Sequence, residues 1–148
     1  MTTNPERVAG GINWGRVAWG GLAAGLIVNA FEYGCHRVYF DVAWTAAFRA
    51  LGRTPKGWST FIPANFFVGI LTVWLYARLR PRYGAGPRTA LRAGLAVWVV
   101  FWVIPLTNMA PMDLFPNGLL AMAIGLGLVD VNLAVLLGAW LYRERTSA

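Results

Sequence analysis

Two carboxylic acids stand well inside long apolar runs of this 148-residue chain, Glu32 in the first run and Asp130 in the last. Hydrocarbon offers an ionised acid no partner, so an acid at such a position has a task. One task is structural: a protonated acid donates a hydrogen bond from helix to helix. The other is handling protons or cations. Other polar residues keep the same spacing. Gly21, Gly25, Asn29, Glu32 and His36 follow one another at intervals of four, four, three and four, which puts all five on one helix face. Asn65, Gly69, Thr72 and Tyr76 repeat the arrangement further along, as do Ala123, Gly127, Asp130, Ala134 and Gly138. Small residues let a second backbone come close, and the polar groups beyond them can hydrogen-bond across the contact.

The elements that must position these faces are helices long enough to cross a bilayer. Apolar stretches run from about residue 16 to 38, 61 to 79, 89 to 108 and 118 to 142. Each is close to the ~20 residues that span a hydrocarbon core of ~30 Å. Hydrophobic residues make up 57% of the chain and charged ones 13%. A water-soluble four-helix bundle needs a polar face on every helix. Leu95–Leu106 and Leu119–Val129 have none. The expected fold is therefore all-α: a single-domain integral membrane four-helix bundle. Trp74-Leu-Tyr-Ala-Arg78 and Trp140-Leu-Tyr-Arg143 echo each other, which raises the possibility of two tandem helical hairpins. Gly21, Gly25, Gly69, Gly127 and Gly138 are the expected helix-packing positions. The third helix is instead bulky, with Trp98, Phe101, Trp102 and Pro105 forming an aromatic wall.

Between the first two membrane helices, residues 41 to 52 predict a short interfacial helix. Asp41 can cap it, Trp44, Ala47, Phe48 and Leu51 share one face, and Gly52 stops it. The Arg80–Pro87 link, rich in proline and glycine, predicts a tight turn. A rise of ~1.5 Å per residue sets relative depths. Glu32, His36, Asn65, Thr107 and Asn108 then fall near the outer ends of their helices. Together with Asn29 and the deeper Asp130 they form the candidate polar pocket. Asn132 falls on the far side of its helix from Asp130 and is expected to face another chain.

The formal net charge is +7, but the basic residues cluster at helix ends rather than on one groove-facing surface. Nucleic acid is therefore not an expected partner. Nine of the thirteen lie in the two termini and the Arg-rich link, and four lie in the first link. The positive-inside rule then places both termini in the cytoplasm and the chain in a cell's inner (cytoplasmic) membrane as a multi-pass protein. Val28-Asn29-Ala30 loosely fits a signal-peptide cleavage site, yet Glu6 interrupts the basic region and glycines dilute the apolar one, so a retained first helix is expected. The single cysteine, Cys35, excludes an internal disulfide and a cysteine-based zinc site. Glu32 and His36, one turn apart, would need Asp113 or Asn65 to complete a metal site, and one histidine is too few for bis-histidine haem. No phosphate-cradling glycine loop or Ser-His-Asp set is present. Neither a metal nor any other cofactor is expected.

Trp14-Gly-Arg, Gly20-Gly-Leu-Ala-Ala-Gly25, Asn29 with Glu32, and the stretch from Trp74 to Pro87 resemble a group of small bacterial four-helix membrane proteins. Thr89-Ala90, Ala93-Gly94 and Gly138–Glu144 extend that likeness over most of the chain. It implies fold and membrane location and brings no activity with it. Asn29-Ala-Phe-Glu32 is also similar to the Asn-x-x-Glu pair that helps bind glutathione in the membrane-associated eicosanoid and glutathione metabolism family. Gly25–Val28 lacks the basic residue which that family places before the pair.

The leading expectation is a non-enzymatic accessory or structural subunit that packs in the lipid bilayer with other membrane proteins or as a homo-oligomer. The first alternative is an oligomeric proton- or cation-coupled transporter of small solutes using Glu32 and Asp130. The second is a membrane enzyme with its pocket in the outer leaflet. Reporter fusions at Ala148 and within Pro111–Pro116 should report opposite sides of the membrane. The same side for both would contradict the four-crossing count.

Overall fold

A computed structural model describes residues 11–54 and 58–143. The chain folds into α1 (Trp14–Cys35), α2 (Asp41–Ala50), α3 (Phe61–Tyr83), α4 (Pro87–Trp98), α5 (Ile104–Met109) and α6 (Asn117–Leu141). Four helical rods result, because α1 runs into α2, and α4 into α5, without a turn. Each join is a wide, π-helical segment, His36–Phe40 in the first rod and Val99–Val103 in the third. Among the described residues three helices are long and apolar enough to cross a membrane: Phe61–Tyr83, Pro87–Met112 and Asn117–Leu141. At 22 residues α1 is long enough as well. Its glycines, Asn29 and Glu32 dilute its hydropathy, and Gly20, Gly21, Gly25, Asn29 and Glu32 turn toward its neighbours.

Local chemistry fixes the ends. The Asn13 side chain caps α1 by accepting from the Arg16 amide at 3.2 Å. The first rod closes in a Schellman turn: the Gly52 amide donates to Arg49 O, the Arg53 amide donates to Phe48 O, and Gly52 takes φ +67°. Gly84, at φ +79°, stops α3, and Pro87 opens α4 three residues later.

The first rod meets α3 and α6 through backbone, not through side chains. A Cβ built on Gly21 would lie 2.5 Å from Ile70 Cα, and one on Gly25 2.7 Å from Phe66 Cα. One on Gly69 would lie 2.5 Å from Gly21 O and 2.7 Å from Gly25 Cα. On the other flank of α1, Gly20 and Gly138 face each other, each Cβ falling within 2.9 Å of the opposite carbonyl oxygen. Thus α1 lies in the groove between α3 and α6. Side chains fill what is left: Val17, Ala24, Val28, Val73, Ala90, Ala93, Ala134 and Val135 form the main core.

The third rod carries more than the bulky aromatic wall that its sequence predicts. Its first half carries a small-residue seam of its own, Ala90, Ala93, Gly94 and Val97, all buried against the core or α6. Asn132 is spent there too. A Cβ on Gly94 would lie 2.5 Å from Asn132 Oδ1, so Asn132 packs on α4 and does not face another chain. Farther along, the Trp98 indole donates to Ile124 O at 2.8 Å, and the Trp102 indole covers Gly127.

The residues expected to form a separate interfacial helix behave differently. No turn interrupts the chain near Tyr39, and α2 extends the first rod. Its apolar face is covered by protein: Phe115 packs edge-on against Trp44 and Phe48, with ring centroids 5.0 and 5.4 Å apart. Phe40, Ala47, Leu119 and Leu120 complete this second cluster.

The Arg-rich end is tied shut. Tyr76 and Tyr142, one from each copy of the Trp-Leu-Tyr echo, meet edge to face at 6.0 Å. The Arg80 guanidinium lies 5.9 Å from the Tyr76 ring centroid and 5.3 Å from that of Tyr142. Tyr142 Oη accepts from the Asn13 amide and Tyr76 Oη from the Gly86 amide, each at 3.3 Å. The chain's entry into α1 and the turn before α4 are thereby anchored to the same pair.

These contacts rank the glycines. Gly69→Ala and Gly25→Ala force backbone away from backbone and should each cost about 1–3 kcal/mol, as overpacking does. Gly127→Ala meets an indole that can shift, so it should cost less. Gly125→Ala meets nothing within 4 Å and should be neutral or slightly stabilising. Thermal unfolding in detergent reads the order directly. Equal melting temperatures for Gly69→Ala and Gly125→Ala would rule out the close crossing.

Candidate functional site

At the end remote from the Arg80 cluster the rods diverge around a cavity of about 820 Å³. This is the size of pocket that holds a drug-sized molecule. Both π-helical segments border it, supplying His36 and Phe40 from the first rod and Phe101 and Trp102 from the third. The second of these segments has a clear cause. Pro105 has no amide to donate, and in a regular helix its ring would press on the Phe101 carbonyl. The turn widens instead, and the Ile104 amide reaches back five residues to Val99 O. Such single wide turns often sit at functional sites.

The wall is mainly apolar and aromatic. Phe31 comes from α1, Trp44 and Phe48 from α2, Phe61, Ala64 and Val68 from α3, and Leu106 and Met109 from α5. From α6 come Ala123, Leu126 and Gly127. Phe61, Ala64 and Phe67 of α3 and Phe101 of the third rod are exposed as well as cavity-lining. The mouth therefore opens sideways, between α3 and the third rod. Arg53 and Thr54, also exposed, mark the rim where the first rod ends.

The polar members fall into two groups. In the first, Asn65 is the hub: its amide donates to Glu32 Oε2 at 3.0 Å and to Asn29 Oδ1 at 3.3 Å. Asn29 in turn donates to Gly25 O at 2.9 Å and to Ile62 O at 3.3 Å. This network rests on the Gly25–Gly69 crossing one turn away, which brings the two helices within reach of short side chains. Glu32, His36 and the buried Asn65 line the cavity, whereas Asn29 stands behind them between the helices. The His36 ring packs against Phe40 at 5.7 Å.

The second group is Asp130 alone. It borders the cavity from α6, is 1% exposed, and neither carboxyl oxygen has a hydrogen-bond partner. The buried Thr72 hydroxyl donates to Val68 O within its own helix, at 2.6 Å, and so is spent elsewhere. Buried polar groups left without a partner are rare and costly.

The candidate pocket residues thus separate. Glu32, His36, Asn65 and Asp130 share one cavity, Asn29 supports it, and Thr107 and Asn108 lie exposed outside it. Both follow the widened turn ahead of Pro105, so the regular helical register used to place them no longer holds. The aromatic walls from Trp44, Phe48, Phe101 and Trp102 were visible only as separate features, a membrane-surface face and a bulky helix. Nothing in local spacing shows that they enclose one space. Among the described residues no three His, Cys, Asp or Glu side chains converge to hold a metal ion. The arrangement suits noncovalent recognition: a greasy, aromatic volume with carboxyl groups on its wall.

Comparison with protein-family models, with curated proteins and with solved structures finds no match to this chain. The site must be interpreted from its own geometry.

Proposed function

We propose that this protein is a multi-pass membrane carrier that admits a small, mainly apolar molecule from the bilayer into its central cavity. The observation that supports this most is the lateral mouth between α3 and the third rod, which opens a drug-sized cavity onto the faces meant for lipid. Polar solutes would not reach such an opening, whereas a molecule already dissolved in lipid would. Four crossings with both ends in the cytoplasm accompany the proposal. α1 lies against two of the three apolar spans, and its outward residues Trp19, Leu22 and Leu26 are exposed and apolar. Its 22 residues span about 33 Å. The Arg-rich end then faces the cytoplasm.

An accessory subunit is the other reading, and small-residue seams, an off-seam Asn132 and little mass outside the membrane would suit it. Gly20, Gly21, Gly25, Gly69, Gly94, Gly127 and Gly138 all find their partners within the chain. Those seams are therefore accounted for without a second protein, and the cavity supports a carrier.

Photolabelling in native membranes with a lipid-soluble alkyl diazirine tests the proposal. The reagent should mark Trp102 inside the cavity as well as outward residues such as Leu26. Ala123→Phe, which fills the cavity from α6, should abolish labelling of Trp102 and leave Leu26 unchanged. Labels confined to the outward residues, in the parent protein and the variant alike, would overturn it.

A further inference from the structure

Among the described residues that line the cavity, Asp130 is the acid whose carboxyl oxygens find no partner. Both its oxygens are buried without a hydrogen bond, while Glu32 already accepts from Asn65. A buried carboxylate needs a donor or a positive charge beside it. The cavity's own arginine, Arg53, stands exposed at the rim. What does surround the space is aromatic: Phe31, Trp44, Phe48, Phe101 and Trp102. Aromatic faces attract cations, the more so when water is excluded.

We infer that the cavity's ligand is a lipophilic cation, an amine or onium centre on an apolar body, with Asp130 as its counter-ion and the aromatic walls around its charge. This rests on the carrier reading and adds the ligand's class to it. An apolar body suits the sideways mouth, and a positive centre supplies the partner that Asp130 lacks. Glu32, which already accepts from Asn65, adds negative potential without being the main contact. The protein's net charge of +7 works against cations as a whole, so a preference for one must come from the local carboxyl groups.

Two ions of the same shape and opposite charge make the test. Tetraphenylphosphonium and tetraphenylborate differ in the sign of their charge and hardly in size. Equilibrium binding of each to the full chain in nanodiscs of zwitterionic lipid, corrected for empty nanodiscs, should give saturable binding of the cation only. Asp130→Asn should weaken it at least about tenfold, as losing a charge-assisted contact does. Asp130→Glu should retain binding, and Glu32→Gln should have the smaller effect. Comparison of the two ions on the unaltered protein does not depend on any variant folding. Equal binding of both ions, no binding of the cation, or an Asp130→Asn variant that binds the cation as well as the parent would each overturn the inference. Diazirine labelling of Trp102 separates the layers. If labelling persists, the cavity still admits apolar molecules and only the cation assignment fails; if it is absent too, the carrier reading fails with it.

Discussion

The bare contact of two backbones, Gly21 and Gly25 on α1 against Gly69 on α3, is the constraint on which the rest of the structure hangs. In lipid no hydrophobic force drives helices together, so close van der Waals packing has to do it. Removing side chains at the crossing allows that approach. The same closeness lets Asn29, Glu32 and Asn65, all short of reach, bond to one another one turn farther on. Gly20 against Gly138 repeats the device on the other flank of α1, and together the two contacts bind α1, α3 and α6 at the arginine end.

What is tight at one end opens at the other. Helices that cross closely diverge away from the crossing, and the two π-helical segments widen the rods where they diverge. Large aromatic residues line the gap without filling it. Trp102 shows how the parts interlock: its indole covers Gly127 on α6 and also forms cavity wall. The cavity is thus a consequence of the packing, and Asp130, one turn beyond Gly127, is carried to its edge by the same helix.

Spacing alone revealed a good deal. Runs of apolar residues marked the four rods, and the recurrence of glycine with Asn29, Glu32, Asn65 and Asp130 showed which faces turn inward. Those patterns are local, so one helix suffices to display them. The π-helical segments are not local in that sense. Pro105 announces a disturbance in its helix, but whether the chain kinks, stops or widens depends on neighbours, and the outcome moved Thr107 and Asn108 off the site. The continuity of the first rod from Trp14 to Ala50 was hidden for a related reason. Asp41 looks like a cap, yet Phe115 holds Trp44 and Phe48 and keeps the helix running. The seam in α4 was masked by the tryptophans that follow it, and Asn132 looked unpartnered because its neighbour Gly94 offers no side chain to notice.

Gly69 provides the most direct test, since it lies at the crossing and lines no part of the cavity. In Gly69→Leu the bulk should part α1 from α3 and collapse or distort the cavity, although every wall residue is unchanged. Diazirine labelling of Trp102 in the variant, with helicity followed by circular dichroism, measures this. The account requires labelling to fall sharply while the protein remains helical. Labelling at the level of the unaltered protein would show that the cavity does not depend on the glycine crossing, and would contradict it.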